Sequence, residues 1–153
     1  MKTYHVLLIA PLLFVALVCF GEEKKIQRSD LPPAVEQALQ RQLAGATVKG
    51  FTTEHEGGKV LYEAELMVEG HSKDILFDAN GRVQEVEEEV AFDSLPVEVK
   101  AGLRAGSKGG KIAKVESLTR QDNLVAYEAV VERNGKRSEI QVGPRGEKLD
   151  HEV

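Results

Sequence analysis

The chain carries the same pattern twice. Leu31-Pro32-Pro33-Ala34-Val35 returns as Leu95-Pro96-Val97-Glu98-Val99, and Tyr62-Glu63-Ala64 returns as Tyr127-Glu128-Ala129. Ile75, Phe77 and Gly81 return as Ile140, Val142 and Gly146. The offset is 64 at the start and 65 from the tyrosine onward, so one loop residue separates the copies. Internal duplication constrains architecture before any single side chain is read.

The ends lie outside that pattern. Val6 to Phe20 is an apolar run broken only by Pro11, and it gives way abruptly to Glu22-Glu23-Lys24-Lys25. The run is short for a membrane span and has the length of a secretory leader. The expected division is a signal peptide over 1–21, a linker over 22–28, and units over 29–91 and 92–153. Lipidation at Cys19 is the rival reading, but Val18 is a poor neighbour for it.

Removing the leader leaves about 132 residues, enough for one compact domain or two small ones. Cys19 is the only cysteine, so the mature chain has no disulfide and no thiol chemistry. Net charge is −5, and loss of Lys2 makes it −6. That balance argues against nucleic acid and against anionic lipid after leader removal. The expected location is periplasmic or secreted.

Each unit opens with a helix signal. Ser29-Asp30 and Asp93-Ser94 offer cap oxygens, and Pro32 and Pro96 suit a first turn. Val35, Ala38, Leu39 and Leu43 form a stripe at helical spacing, stopped at Gly45. The second helix is expected to be shorter, because Gly102 and Gly106 each cost about 1 kcal/mol against alanine. Beyond each helix the period becomes two. Val60, Tyr62, Ala64, Leu66 and Val68 alternate with Leu61, Glu63, Glu65, Met67 and Glu69. Asn80-Gly81 and Asn134-Gly135 are hairpin signals, and Gly57-Gly58 and Glu69-Gly70 mark further turns. The expected class is α+β: two tandem repeats, each one helix followed by a three- or four-stranded antiparallel sheet, with helices on one face.

This layout resembles the PepSY-like family, whose tandem members are similar to the β-lactamase inhibitor protein. The residues that carry the resemblance are the two Leu-Pro-x-x-Val starts, the two Tyr-Glu-Ala strands, and the closing segments Asp78-Ala79-Asn80-Gly81-Arg82-Val83 and Gly146-Glu147-Lys148-Leu149. It spans roughly Ser29 to Val153. The resemblance implies exported bacterial proteins with helices on antiparallel sheet, and roles in inhibiting or regulating peptidases. A related domain occurs in propeptides of thermolysin-type metalloproteases. The β-lactamase inhibitors use disulfides and an aromatic-rich concave face. This chain has neither, with 5% aromatics and no tryptophan.

Helices on one face leave the other face open, and that face carries the candidate binding residues. Leu61, Met67, Leu76 and Val130 are the expected anchors, with Glu63, Glu65, Glu128 and Arg137 supplying charge. The expected function is a non-catalytic protein-binding module that restrains a cell-envelope or extracellular protein such as a peptidase. The alternatives are a cation-binding envelope accessory and a structural domain without a tight partner.

Other motifs are weaker. Glu54-His55-Glu56 and Asp150-His151-Glu152 place histidine between carboxylates, but neighbours on a strand point to opposite faces, so these read as solvated surface. His71 in its turn reads as exposed. Glu85, Glu87, Glu88 and Glu89 read as a charged outer strand that discourages aggregation. Gly106-Ser107-Lys108-Gly109-Gly110-Lys111 runs from helix into strand, the wrong order for a phosphate loop, and Ala105 and Ile112 break the pattern. No Gly-x-Ser-x-Gly elbow occurs. No cofactor is expected and no metal ligand set is assigned.

Overall fold

The computed structural model describes residues 23–149, 151 and 153. The expected leader, with Cys19, lies outside the described residues, as do Asp150 and Glu152.

Eight strands form one antiparallel sheet in chain order: β1 (Lys24–Lys25), β2 (Ala46–Glu56), β3 (Lys59–Val68), β4 (His71–Asp78), β5 (Val83–Glu89), β6 (Lys111–Arg120), β7 (Asn123–Arg133) and β8 (Lys136–Val142). Helix α1 (Pro33–Gln40) lies between β1 and β2, and α2 (Val97–Gly106) between β5 and β6. No helix among the described residues is long and apolar enough to cross a membrane.

The expectation of two tandem helix-plus-sheet units is therefore corrected. β5 pairs with β6 from Glu85–Arg120 to Glu89–Glu116, and this join makes one continuous sheet. Hairpin turns declare pairing between consecutive strands. The β5–β6 join spans a helix and has no turn chemistry of its own.

The local signals explain each element. Pro32 and Pro96 stand at the caps of α1 and α2, where a missing N–H leaves no bond unmade. Ser29 and Asp30 form a 3-10 turn ahead of α1 rather than capping it. Asn134 and Gly135 both have positive φ, as the β7–β8 hairpin requires.

The expected shortening of α2 is also corrected: it has ten residues and α1 has eight. Its glycines are there for close approach. A Cβ on Gly102 would sit 2.2 Å from the Gly146 carbonyl oxygen, and one on Gly106 would sit 3.0 Å from Ile140 Cδ1. Packing against β8 and its following turn outweighs the propensity loss.

The helices cover one face of the sheet. Val35, Ala38 and Leu39 of α1 pack with Phe51, Ala64, Leu66, Ile75 and Phe77. Val99 and Leu103 of α2 pack with Val115, Ala129 and Val142. Val86 lies opposite Thr119, and Glu88 opposite Ser117, so strand parity carries from one helix-covered region to the other.

Candidate functional site

The site is the face that no helix covers. Its residues follow from strand parity and register. One row across the sheet reads Thr52, Glu63, Leu76, Glu85, Arg120. The next reads Glu65, Asp74, Glu87, Leu118, Ala126. A third reads Met67, Ser72, then Glu89, Glu116, Glu128, Gln141. Three carboxylates thus stand directly opposite one another in each of two rows. Like charges in that position destabilise a sheet.

The face is curled. One hollow of about 310 Å³ is lined by Glu54 of β2, Glu63 of β3, Asp74 and Leu76 of β4, Glu85 and Glu87 of β5 and Leu118 of β6. Glu128 of β7, Glu139 and Gln141 of β8, and the flanking Glu23 and Val153 complete it. In a flat sheet, β2 and β8 would lie about 29 Å apart at about 4.8 Å per strand. Side chains from all seven strands reach one small hollow only if the sheet wraps around it.

Curling also buries part of this face. Leu61, Leu118 and Ala126 are 4% exposed or less. Glu116 is 6% exposed; it accepts from Lys114 Nζ at 2.6 Å and from Ser72 Oγ at 3.4 Å. Arg120 pairs with Glu85. Glu63 accepts from Thr52 Oγ1, and Glu128 accepts from Gln141 Nε2 at 2.8 Å.

The remaining charge is poorly compensated. Burial, reinforced by Glu85, Glu128, Glu116 and Asp74, pushes the Glu87 carboxyl up to about 8. Burial, with Glu63 and Glu116 nearby, raises Asp74 to about 6, although Lys114 opposes the shift. Glu63 is raised by burial against the lowering pull of Thr52, and Glu54 is raised by burial and by Glu63. Two rows of carboxylates on a face that offers Lys114 and Arg120 in ion pairs form a trap for positive charge.

The expected site residues divide into four groups. Leu76, Glu63 and Glu128 meet in the hollow. Glu65, Met67 and Val130 lie half-buried on the same face. Arg137 is exposed at the β8 end, where its guanidinium donates to Glu132 at 2.7 Å. Leu61 faces the same way but is buried, so it packs the fold and offers no contact area.

Three readings of the acidic and histidine motifs change. β5 is an interior strand, so Glu85, Glu87 and Glu89 do not blunt an edge; they line the centre of the curled face. Glu54 joins them, while His55 points away and is exposed. His71 is half-buried and lies 3.1 Å from Glu88 on the opposite side of the sheet. Sequence reasoning passed over Asp74 and Glu116. Their signal was present in strand parity, but only the register sets them opposite Glu87 and Glu128.

No family model matches the chain, and no curated protein matches it. Solved structures do. A protein of Bacteroides eggerthii provisionally assigned to the periplasm superposes with TM-score 0.63 at 18% identity, covering 78% of this chain and 86% of that one. A DUF2874 family protein from Bacteroides ovatus gives 0.61 at 17% identity, covering 78% and 85%. A BLIP-like protein from Bacteroides fragilis gives 0.55 at 25% identity, covering 76% and 81%. The chain has the fold that these DUF2874 and BLIP-like proteins share.

Proposed function

We propose that this chain is an exported, non-catalytic protein-binding module that grips a basic segment of a partner through its curled acidic face. The periplasm or the cell exterior is the setting, and a peptidase is the partner class that the PepSY-like resemblance implies. The observation that carries the reading is the pair of carboxylate rows, Glu65-Asp74-Glu87 and Glu89-Glu116-Glu128, held opposite one another on an uncovered sheet face. A fold gains nothing by setting acids against acids. A lysine or arginine of a partner would relieve that repulsion, and the half-buried Leu76 in the hollow would receive its aliphatic stem. The fold shared with a BLIP-like protein supports a non-catalytic binding role.

The test is affinity capture from the source envelope with the wild-type chain and with a Glu65→Gln, Asp74→Asn, Glu87→Gln triple variant. The reading expects a partner retained by the wild type and lost by the variant. Equal recovery on both, or none on either, removes it.

A second reading, a cation-binding accessory, rests on one observation: carboxylate oxygens of Asp74, Glu87 and Glu116 lie within 4.8 Å of one another. Three hard oxygens at that spacing suit a divalent ion. Calorimetry with calcium and with zinc separates the readings. Micromolar binding favours the ion, and a flat titration leaves the protein partner.

A further inference from the structure

β6 carries a bulge that decides where one lysine points. Its register slips between Ile112 and Lys114, which lie opposite Val131 and Val130. In an unbroken strand, residues two apart share a face. Here Ile112 packs toward α2, while Lys114 lies on the curled face with its Nζ 2.6 Å from Glu116 Oε1. Re-aiming a side chain is a common use of a bulge. β2 carries the same slip 64 residues earlier, between Val48 and Gly50, and Val48 packs toward α1. There Gly50 holds the place of Lys114 and offers no side chain. The bulge belongs to the duplicated pattern, and the lysine does not.

The ion pair is unequal. The Glu116 side chain is 7% exposed and the Lys114 side chain 33%. Burial works against the lysine's charge, yet Glu116, with Asp74 and Glu89 nearby, holds the ammonium above the ordinary lysine range. Glu116 also brings its carboxylate within 4.8 Å of those of Asp74 and Glu87. The acid is fixed in the sheet, and the base that water reaches sits on a flexible four-carbon stem. We infer that Lys114 is an internal competitor for the acidic face: its ammonium occupies the place at Glu116 that a partner's cation must take. The inference rests on the proposed grip on a basic segment and names how that grip is regulated. A single ammonium arriving at Glu116 exchanges like for like and gains little. A segment with several cations also meets Asp74 and Glu87, and so wins the exchange. Lys114 thereby selects against isolated charges.

Pentalysine titrated into the labelled chain at pH 8.5 tests this. In the wild type, shifts at Asp74 and Glu87 should be accompanied by movement of the Lys114 side-chain signals to those of a free lysine. Lys114→Met and Lys114→Gln should each bind about tenfold tighter with an unchanged circular dichroism spectrum, and Gln keeps a donor for Glu116 without the charge. Lys114→Arg keeps the charge and should stay within about threefold of the wild type. Lys73→Met is the control for net charge, since Lys73 pairs with Glu88 on the opposite side of the sheet, and it should also stay within about threefold. Binding confined to the neutral Lys114 variants is the same competition carried to completion. Wild-type binding that neither Met nor Gln tightens overturns the inference alone. So does equal tightening by Lys73→Met, or shifts at Asp74 that leave the Lys114 signals in place. No saturable binding by the wild type or by either neutral variant overturns the inference and the proposed grip together.

Discussion

Glu87 is the residue at which structure and charge oppose each other most. It sits between Asp74 and Leu118 on an interior strand, and its carboxyl titrates near 8 rather than near the ordinary 4.5. Asp74 is displaced the same way, to about 6. A carboxyl raised on folding keeps a proton that the unfolded chain has released. These two groups therefore take stability away as pH rises above the ordinary carboxylate range, through 6 and toward 8, and the loss levels off above 8. Glu87→Gln removes the ionisation penalty. Urea denaturation at pH 8.5 should find the variant more stable by on the order of 2 kcal/mol, with a difference that shrinks toward zero near pH 4.5. A constant difference across that range would contradict the assignment. The alternation of Glu85, Glu87 and Glu89 was legible as one strand face. Their burial was not, because it depends on cross-strand neighbours that are distant in sequence.

Among elements, α2 shows how packing overrides propensity. Gly102 weakens an isolated helix, yet its missing side chain lets the backbone reach the Gly146 carbonyl. Gly102→Ala should raise intrinsic helicity and still destabilise the protein by about 2–4 kcal/mol, read from the urea midpoint. A neutral or stabilising result would show that the turn at Gly146 yields easily. The Leu-Pro helix starts, the hairpins and the apolar faces of β3 and β7 were all readable, since each rests on chemistry within a few residues. The central place of β5 was not. Its acidic composition suits an edge, and the pairing that makes it interior joins Glu85–Glu89 to Glu116–Arg120 across an intervening helix.

At the scale of the whole molecule, the β5–β6 join has a thermodynamic consequence. Two helix-covered cores share one sheet, so unfolding should be a single cooperative transition in which fluorescence and circular dichroism coincide. Two separated transitions would return the molecule to independent halves. The same join creates the curled face, because neither half alone carries both carboxylate rows. A basic segment bound there should weaken steeply with salt and tighten as pH rises from 6 to above 8, since it binds the ionised carboxylates and displaces their protons. The most direct measurement follows a lysine-rich peptide, pentalysine, titrated into the labelled chain at pH 5.5 and pH 8.5. The account predicts amide shifts centred on Glu65, Asp74, Glu87 and Glu116, with affinity at least tenfold higher at the upper pH. Shifts scattered over the surface, or an affinity indifferent to pH, would contradict it.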